Sequence, residues 1–530
     1  MEDKEEKKVA SKWLILVVII IGSFMSTLDS SIVNIAIAKL MSVFGVSLDD
    51  VKWVLTAYTL TLGAVVPITG YLGDTLGTKK VFLFALITFT AGSFLCGMAW
   101  SNTTMIVFRI LQASGGGMII PVGMTMMMKI FSKDEMGMAM GFWGIAALAA
   151  PAIGPTLGGY IIEKLDWRII FYINVPIGII AIIMSIFLLP GAKRKAFEKF
   201  DFIGFITSTV GLVSTLYVIG ELANIDWTDV TNPLLLTLGI FCLLLCGVNE
   251  LSHKDPILEL RVFKNFQFSI SQVIQCILFF ALMGGMYVMP LYLENVKGYT
   301  AMQTGLILLP SAIGTALIMP ISGKLFDKVG AKIPGIIGLT VMLISSYQLA
   351  YINQNTSELY IEAIMTIRGM GFALANMPIT TAGMNAITDP KLAGKASALN
   401  NTVKQIAGSL GVTIMTLMIQ TKSDFNYSRM AEQITPFNET ASNTINTMQN
   451  VYMMQGGLSQ ADSRGTAIGT ITKMLSGQAR IDGMDYALAV AAVVGAVALI
   501  LVFFVSGKKK ENAGKALESQ ENEHISFSLE

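Results

Sequence analysis

Long apolar runs separated by short polar connectors fill almost the whole chain. A hydrocarbon core of about 30 Å takes about 20 apolar residues in a helix. By that ruler the runs predict about fourteen helical spans, near 13–38, 51–72, 81–100, 104–130, 137–163, 168–190, 202–222, 232–250, 267–293, 302–325, 333–352, 357–385, 391–419 and 485–507. The first run follows a charged start, residues 1–12, and is too long for a signal-peptide core, so it reads as a retained span. One interval breaks the rhythm. Residues 420–484 are polar and rich in Ser, Asn, Thr and Gln, and a loop this long is functional or disordered. Its last part, Thr466–Tyr486, has helical periodicity and predicts a hairpin on the outer surface.

A thirteen-position pattern between two such runs occurs twice. Pro67-Ile68-Thr69-Gly70-Tyr71-Leu72-Gly73-Asp74-Thr75-Leu76-Gly77-Thr78-Lys79 returns as Pro320-Ile321-Ser322-Gly323-Lys324-Leu325-Phe326-Asp327-Lys328-Val329-Gly330-Ala331-Lys332. The shared frame, P-I-[ST]-G-x-L-x-D-x-x-G-x-K, marks a duplicated membrane domain. Two such halves around a central site are the usual build of a secondary transporter. The repeat places a six-helix bundle at 13–190, a basic connector at 191–201, two inserted helices at 202–250, a second connector at 251–266, and a second bundle at 267–419 plus 485–507, with a tail at 508–530.

Charge then sets the orientation. Lys4, Lys7, Lys8, Lys12, Lys79, Lys80, Lys133, Lys193, Arg194, Lys195, Lys199, Lys254, Arg261, Lys264, Lys324, Lys328, Lys332, Lys391, Lys395 and Lys508–Lys510 all fall on one side of the predicted membrane. The short opposite loops hold far fewer, and 223–231 is acidic through Asp226 and Asp229. The positive-inside rule puts both termini and both repeated turns in the cytoplasm. This predicts a multi-pass protein of the cell membrane.

Composition narrows the class. The chain is 53% hydrophobic and 14% charged, with mean hydropathy +0.63, against roughly 25% charged in soluble domains. A net charge of +1 gives no reason to expect a nucleic-acid partner. The four cysteines all sit in apolar runs and the two histidines are isolated, so no metal cluster is expected. There is no G-x-x-x-x-G-K-[ST] phosphate loop and no nucleophile–base pair, which argues against an ATPase or a membrane enzyme. No cofactor is expected, and a proton gradient is the expected energy source.

A few polar residues lie deep in the apolar runs. Asp29 is the clearest acid, and burial disfavours its charged form, so it could carry a proton. Arg109 and Gln112 share the fourth span. At 1.5 Å per residue Asp29 lies about 24 Å from the inner end of its span and Arg109 about 7 Å from the outer end of its own. In a core of about 30 Å these depths match, so the two can interact. Snorkelling of Arg109 to the interface, or a static structural pair, is the alternative. Asn34, Arg368, Asn376 and Gln405 are candidates for lining a central cavity. In the fifth span Gly154, Pro155, Gly158 and Gly159 predict a kinked helix that packs closely on a neighbour.

These motifs jointly resemble the major facilitator superfamily. The repeated turn resembles that family's loop after the second span of each half, which implies a cytoplasmic gate built from Gly70, Asp74, Gly77, Lys79, Lys80, Gly323, Asp327, Gly330 and Lys332. Thr78 stands where an arginine is common. Gly154-Pro155-Thr156-Leu157-Gly158-Gly159 resembles the antiporter motif of exporters. Arg109-Ile110-Leu111-Gln112-Ala113 resembles R-x-x-Q-G, linked there to proton transfer, with Ala113 in place of the glycine. Leu28-Asp29-Ser30-Ser31-Ile32-Val33-Asn34-Ile35-Ala36, Asp166-Trp167-Arg168 with Phe171–Gly178, and Tyr292–Tyr299 are similar to the fourteen-span drug:proton antiporters. The resemblance implies an all-α fold of two six-helix bundles plus two central helices. It implies export of lipophilic small molecules, cationic ones among them, in exchange for protons at Asp29. A periplasmic adaptor protein would be a further partner if the source has two membranes. A narrow carrier of a metabolite, lipid or organic acid stays open, as does a sensor or assembly scaffold built on the same fold.

Overall fold

The computed structural model describes residues 2–132, 135–190, 201–222, 225–253, 256–257, 259–387, 389, 392–435, 437–456 and 459–505. The connector 191–200, Lys133, Lys254, Lys391 and the tail from 506 lie outside the described residues.

Helices occupy every predicted span. In the first half they are α1 (Glu2–Phe44), α2 (Leu48–Leu72), α3 (Thr78–Gly97), α4 (Asn102–Ile130), α5 (Met136–Lys164), α6 (Ile169–Tyr172) and α7 (Asn174–Leu188). Then come α8 (Phe202–Glu221) and α9 (Thr231–Ser252). The second half holds α10 (Phe266–Asn295), α11 (Ala301–Val329), α12 (Lys332–Leu349), α13 (Glu358–Asn385), α14 (Ala393–Ala431), α15 (Glu439–Gly456) and α16 (Gln460–Leu501). Among the described residues eleven segments are long and apolar enough to cross a membrane, and one of them, Asp50–Gly97, contains both α2 and α3. Capping chemistry sets several starts. Ser101 and Thr104 form a reciprocal capping box on α4, and Thr300 and Gln303 form one on α11.

The charged start is continuous with the first span, since α1 begins at Glu2. The polar interval 420–484 is mostly helical. α14 continues to Ala431, α15 follows, and α16 runs unbroken from Gln460 into the last apolar run. α15 packs against α16, so the hairpin is built from Glu439 onward rather than from Thr466–Tyr486 alone. Packing and capping, such as Ser459 accepting from the Asp462 amide at 3.2 Å, outweigh the low helix propensity of its Ser, Thr and Asn residues.

The halves meet with pseudo-two-fold logic. The second helix of each half packs on the fifth of the other: α2 on α14, and α11 on α5, the most extensive helix contact in the molecule. The inserted pair α8–α9 packs beside α2, with Trp53 stacked on Tyr217 at 5.8 Å, and α8 also reaches α14. α9 turns Leu234, Phe241, Leu244 and Val248 outward, as a lipid-facing helix should.

Both repeated turns lie at one end of the molecule, the turn end. There a single apolar core crosses the two halves, with Phe82, Met127 and Trp143 from the first and Phe268, Met319, Met377 and Leu399 from the second. Away from it the halves keep separate cores, one around Val33, Val54 and Phe171, the other around Tyr292, Ile361 and Leu488. α5 and α11 nevertheless stay together throughout, from Gly137 against Gly323 to Gly159 against Met302. The molecule is closed at the turn end.

One ion pair ties α1 to the start of α5. Lys12 Nζ donates to both Glu135 carboxylate oxygens at 2.7 Å. This hydrogen bond from Lys12, aided by Ser132, holds the Glu135 carboxyl below the usual carboxylate range. A depressed folded-state value means the contribution is complete above the ordinary carboxylate range and is lost as pH falls through the folded value. Glu135 is 39% exposed, so screening keeps the effect small. Thermal melts should show Glu135→Gln lowering Tm at neutral pH and converging on wild type in acid.

Candidate functional site

Asp29 and Arg109 meet, as their matching depths allow, Gln112 joins them, and all three are fully buried. Arg109 Nη1 donates to Asp29 Oδ2 at 2.5 Å and to Gln112 Oε1 at 2.8 Å. Gln112 Nε2 donates to Asp29 Oδ1 at 2.8 Å. The guanidinium does not snorkel. It lies over the Tyr58 ring, 3.8 Å from its centroid, where the ring's electron-rich face partly replaces water. Arg109 Nε and Nη2 have no acceptor among the described residues.

Sequence reasoning missed a fourth member. Asn174 Nδ2 donates to Asp29 Oδ1 at 2.9 Å and to Ser93 Oγ at 3.1 Å. Ser93 in turn donates to the Phe171 carbonyl at 2.9 Å. Asn174 is the first residue of α7, and the available signal was a lone amide at the head of an apolar run. The network therefore joins α1, α3, α4 and α7. Close approach of α3 and α4 depends on Gly92, where any side chain would run into the Gln112 backbone.

The repeated turns share a backbone device and differ in their side chains. Gly77 (φ 89°) and Gly330 (φ 79°) both adopt the left-handed region that favours glycine. Residues Gly73–Gly77 form a π-helical turn carrying Asp74, whose carboxylate lies 3.6 Å from Lys129 Nζ at the end of α4. Asp327 lies directly against Gly137 of α5. Gly70 faces Gly394 of α14, and Gly323 faces the Gly137 carbonyl, so the equivalent glycines hold the two interhalf contacts. Lys79 does not reach a turn carboxylate. It caps α7, donating to the Ile186 and Leu189 carbonyls at 2.8 and 2.7 Å. Lys80 is exposed. Lys332 sits 5.6 Å over Phe503, just beyond α16, so each lysine reaches the end of the last helix of its own half. Lys79→Met removes two charge-assisted bonds and should cost about 1.5–3 kcal/mol for each at most. The check is a thermal melt in detergent, with a drop in Tm and flux largely retained.

The Major Facilitator Superfamily model matches residues 19–412. The chain belongs to that superfamily. Over 515 residues it is 36% identical to a Bacillus subtilis protein named as an uncharacterized MFS-type transporter, YhcA, covering 97% of each chain. It is 28% identical to the multidrug export protein EmrB of Escherichia coli, covering 95% of this chain and 97% of EmrB. It is 29% identical to the lincomycin resistance protein LmrB of Listeria monocytogenes over 434 residues, covering 82% of this chain and 92% of LmrB. Among solved structures the fold matches the proton:xylose symporter XylE with a TM-score of 0.60 at 12% identity, covering 95% of this chain and 97% of that one. The chain is thus a multi-pass membrane transporter rather than an enzyme.

In this superfamily fold the remaining predicted residues separate. Gly154 and Gly158 press α5 onto Ser31 and Ile32 of α1, and Gly159 faces Met302 of α11. The side chain of Pro155 lies outside the described residues. Arg368 is buried among α10, α12 and α13, donating from Nε to Ser346 Oγ at 3.1 Å and from Nη2 to the Ala281 carbonyl at 2.5 Å. It occupies the Arg109 position of the second half, with a carbonyl and Gly285 beside it instead of a carboxylate, and it ties α13 to α10 and α12. Asn376 is buried, and its carbonyl accepts from Gln275 at 3.1 Å. Asn34 is exposed and Gln405 half-buried, both apart from the Asp29 network.

A second missed residue is Lys404, a cation inside α14. It is half-buried, with Nζ 3.4 Å from Thr380 Oγ1 and 5.3 Å from the Phe279 centroid. An isolated lysine within a predicted span was the available signal.

Proposed function

We propose that this transporter exports lipophilic small molecules in exchange for protons by alternating access, set in the cell membrane with both termini in the cytoplasm. The observation that carries the reading is the donor cage around Asp29. Its three side-chain partners, Arg109, Gln112 and Asn174, are all N–H donors. As oriented, the cage suits a carboxylate, and an acid proton would need the Gln112 or Asn174 amide to turn its carbonyl oxygen toward Asp29. Taking up a proton therefore goes with loosening these bonds, and these bonds hold α1 to α4 and α7. Proton binding and helix packing change together, which is what coupling requires.

The turn end would face the cytoplasm, so the closed turn end corresponds to a carrier shut toward the cytoplasm. Opening inward would part Gly70 from Gly394 and Gly323 from Gly137. Export is supported by the G-P-x-x-G-G stretch of α5 and by relatives whose names record multidrug export and lincomycin resistance. In a source with two membranes, the α15–α16 hairpin is the place an adaptor would meet.

The test is flux in liposomes. Purified protein is reconstituted, a pH gradient is imposed, and a lipophilic dye is followed. The expected result is dye movement opposite to the proton flow that a protonophore stops. Dye movement indifferent to the gradient would overturn the proton-coupled reading.

A further inference from the structure

We infer that Lys404 is the recognition point for an acidic group on the transported molecule, so that the substrates are lipophilic anions such as aromatic carboxylates. This rests on the exporter reading above and narrows its substrate class.

The position argues first. Lys404 is eleven residues into α14, about 16 Å along the helix from its turn-end start, and so near the middle of a bilayer core. One turn nearer the turn end, Asn400 contacts Met124 Sδ of α4 at 3.9 Å, and Ser397 donates to the Pro121 carbonyl at 3.0 Å. Those contacts belong to the closed interhalf seam. Asn400 and Ser397 are fully buried, whereas Lys404 and its neighbours Asn401 and Gln405 are half-buried. Lys404 thus sits where the seam ends and the separate cores of the two halves begin.

The charge balance argues second. A cation at this depth is costly without a countercharge. Asp29, the deep acid of the first half, is already matched by Arg109. No carboxylate pairs with Lys404 among the described residues. Arg368, the other deep cation of the second half, is held by a hydroxyl and a carbonyl. The second half therefore presents positive charge at mid-depth with no negative partner of its own.

The surroundings argue third. An ammonium has three N–H donors, and Lys404 directs one to the Thr380 hydroxyl at a long 3.4 Å. Thr380 is itself held by Gln275 Nε2 at 2.7 Å, which fixes the hydroxyl beside the ammonium. The remaining donors suit a carboxylate or another oxyanion. Phe279 beside the ammonium and Met283 against Gly408 one turn along supply apolar surface for an aromatic body. A lipophilic cation would meet repulsion at the same place.

The experiment compares three probes of one shape: anthracene carboxylate, anthracene methanol and aminomethyl anthracene. Equilibrium binding to purified full-length protein is read from probe fluorescence for wild type, Lys404→Met, Lys404→Gln and Lys404→Arg. Each variant is first checked for a monodisperse elution profile. The inference predicts that wild type prefers the carboxylate, that Lys404→Met or Lys404→Gln weakens carboxylate binding at least tenfold while leaving the alcohol within about twofold, and that Lys404→Arg retains most of the preference. Tighter binding of the amine to the neutral variants would support it further. Equal loss of carboxylate and alcohol, or an unchanged carboxylate affinity, would overturn it. If Lys404→Met and Lys404→Gln fail to fold, a wild type with no carboxylate preference overturns it, and a Lys404→Arg variant that keeps that preference upholds it. Binding needs no pumping. Absence of gradient-driven flux in wild type would therefore sink the exporter reading while this assay still judges Lys404.

Discussion

Asp29→Asn reduces gradient-driven efflux to the rate of empty liposomes while the folded protein still exchanges labelled for unlabelled substrate. The amide keeps the shape of the side chain but cannot take up and release a proton, so only steps that need no proton turnover survive. The substitution also leaves Arg109 buried beside an uncharged partner, with two of its nitrogens already lacking an acceptor. Breaking a buried pair from one side costs about 3–5 kcal/mol, and stacking on Tyr58 offsets about 2 kcal/mol of that at most. Thermal melts should therefore show a clear loss of stability in Asp29→Asn and in Arg109→Gln. The double variant should recover much of it, because no lone charge remains. Proton-driven flux should stay absent in all three. Recovery of flux in the double variant would show that the pair acts as a structural tie alone.

The second large effect lies at the turn end. A Cβ on Gly323 overlaps the Gly137 carbonyl of the opposite half, so Gly323→Ala forces α11 off α5 in this closed state. Overpacking of this kind costs about 1–3 kcal/mol, and about 1.4 kcal/mol is a tenfold change in an equilibrium. The variant should shift the balance toward a turn-end-open form by about ten- to a hundredfold and slow transport by a similar factor. A cysteine at Ser397, fully buried in the seam, reports the opening through its labelling rate with a water-soluble maleimide. Gly70→Ala is the control. Its Cβ would stand 3.3 Å from the Gly394 backbone, a tight contact but far milder than the overlap at Gly323. Equal labelling in both variants would mean that the α5–α11 contact does not govern closure.

The duplication, the helix order and the Asp29–Arg109 contact were legible in the sequence for physical reasons, while Gln112 was flagged by the motif alone. Helical rise converts residue number into depth, and a bilayer forces charged groups at equal depth to find each other. Asn174 was not legible in the same way, since an amide carries no charge to flag it and lies at the head of a helix where polar residues are ordinary. Lys404 was a visible signal, a lone lysine within a predicted span, that the charge reading passed over because it lies in neither a connector nor a motif. The depth of Arg368 was equally visible, but its acceptors, a hydroxyl and a carbonyl from neighbouring helices, and the space left by Gly285 were not. The hairpin at α15–α16 was legible only in its last part, where Thr466–Tyr486 shows helical periodicity; the extent of α15 comes from packing on α16 that no local pattern records. The capping role of Lys79 depends on where the end of α7 lands in space, which spacing along the chain does not specify.

The central claim is that Asp29 exchanges a proton as substrate binds. The most direct measurement is proton release on ligand addition, followed with a pH-sensitive dye in weakly buffered detergent solution. Wild-type protein carrying a proton on Asp29 should release it when a lipophilic ligand binds, and Asp29→Asn should bind the ligand with no release. Equal proton release from the two proteins would contradict the account and place the coupling on another group.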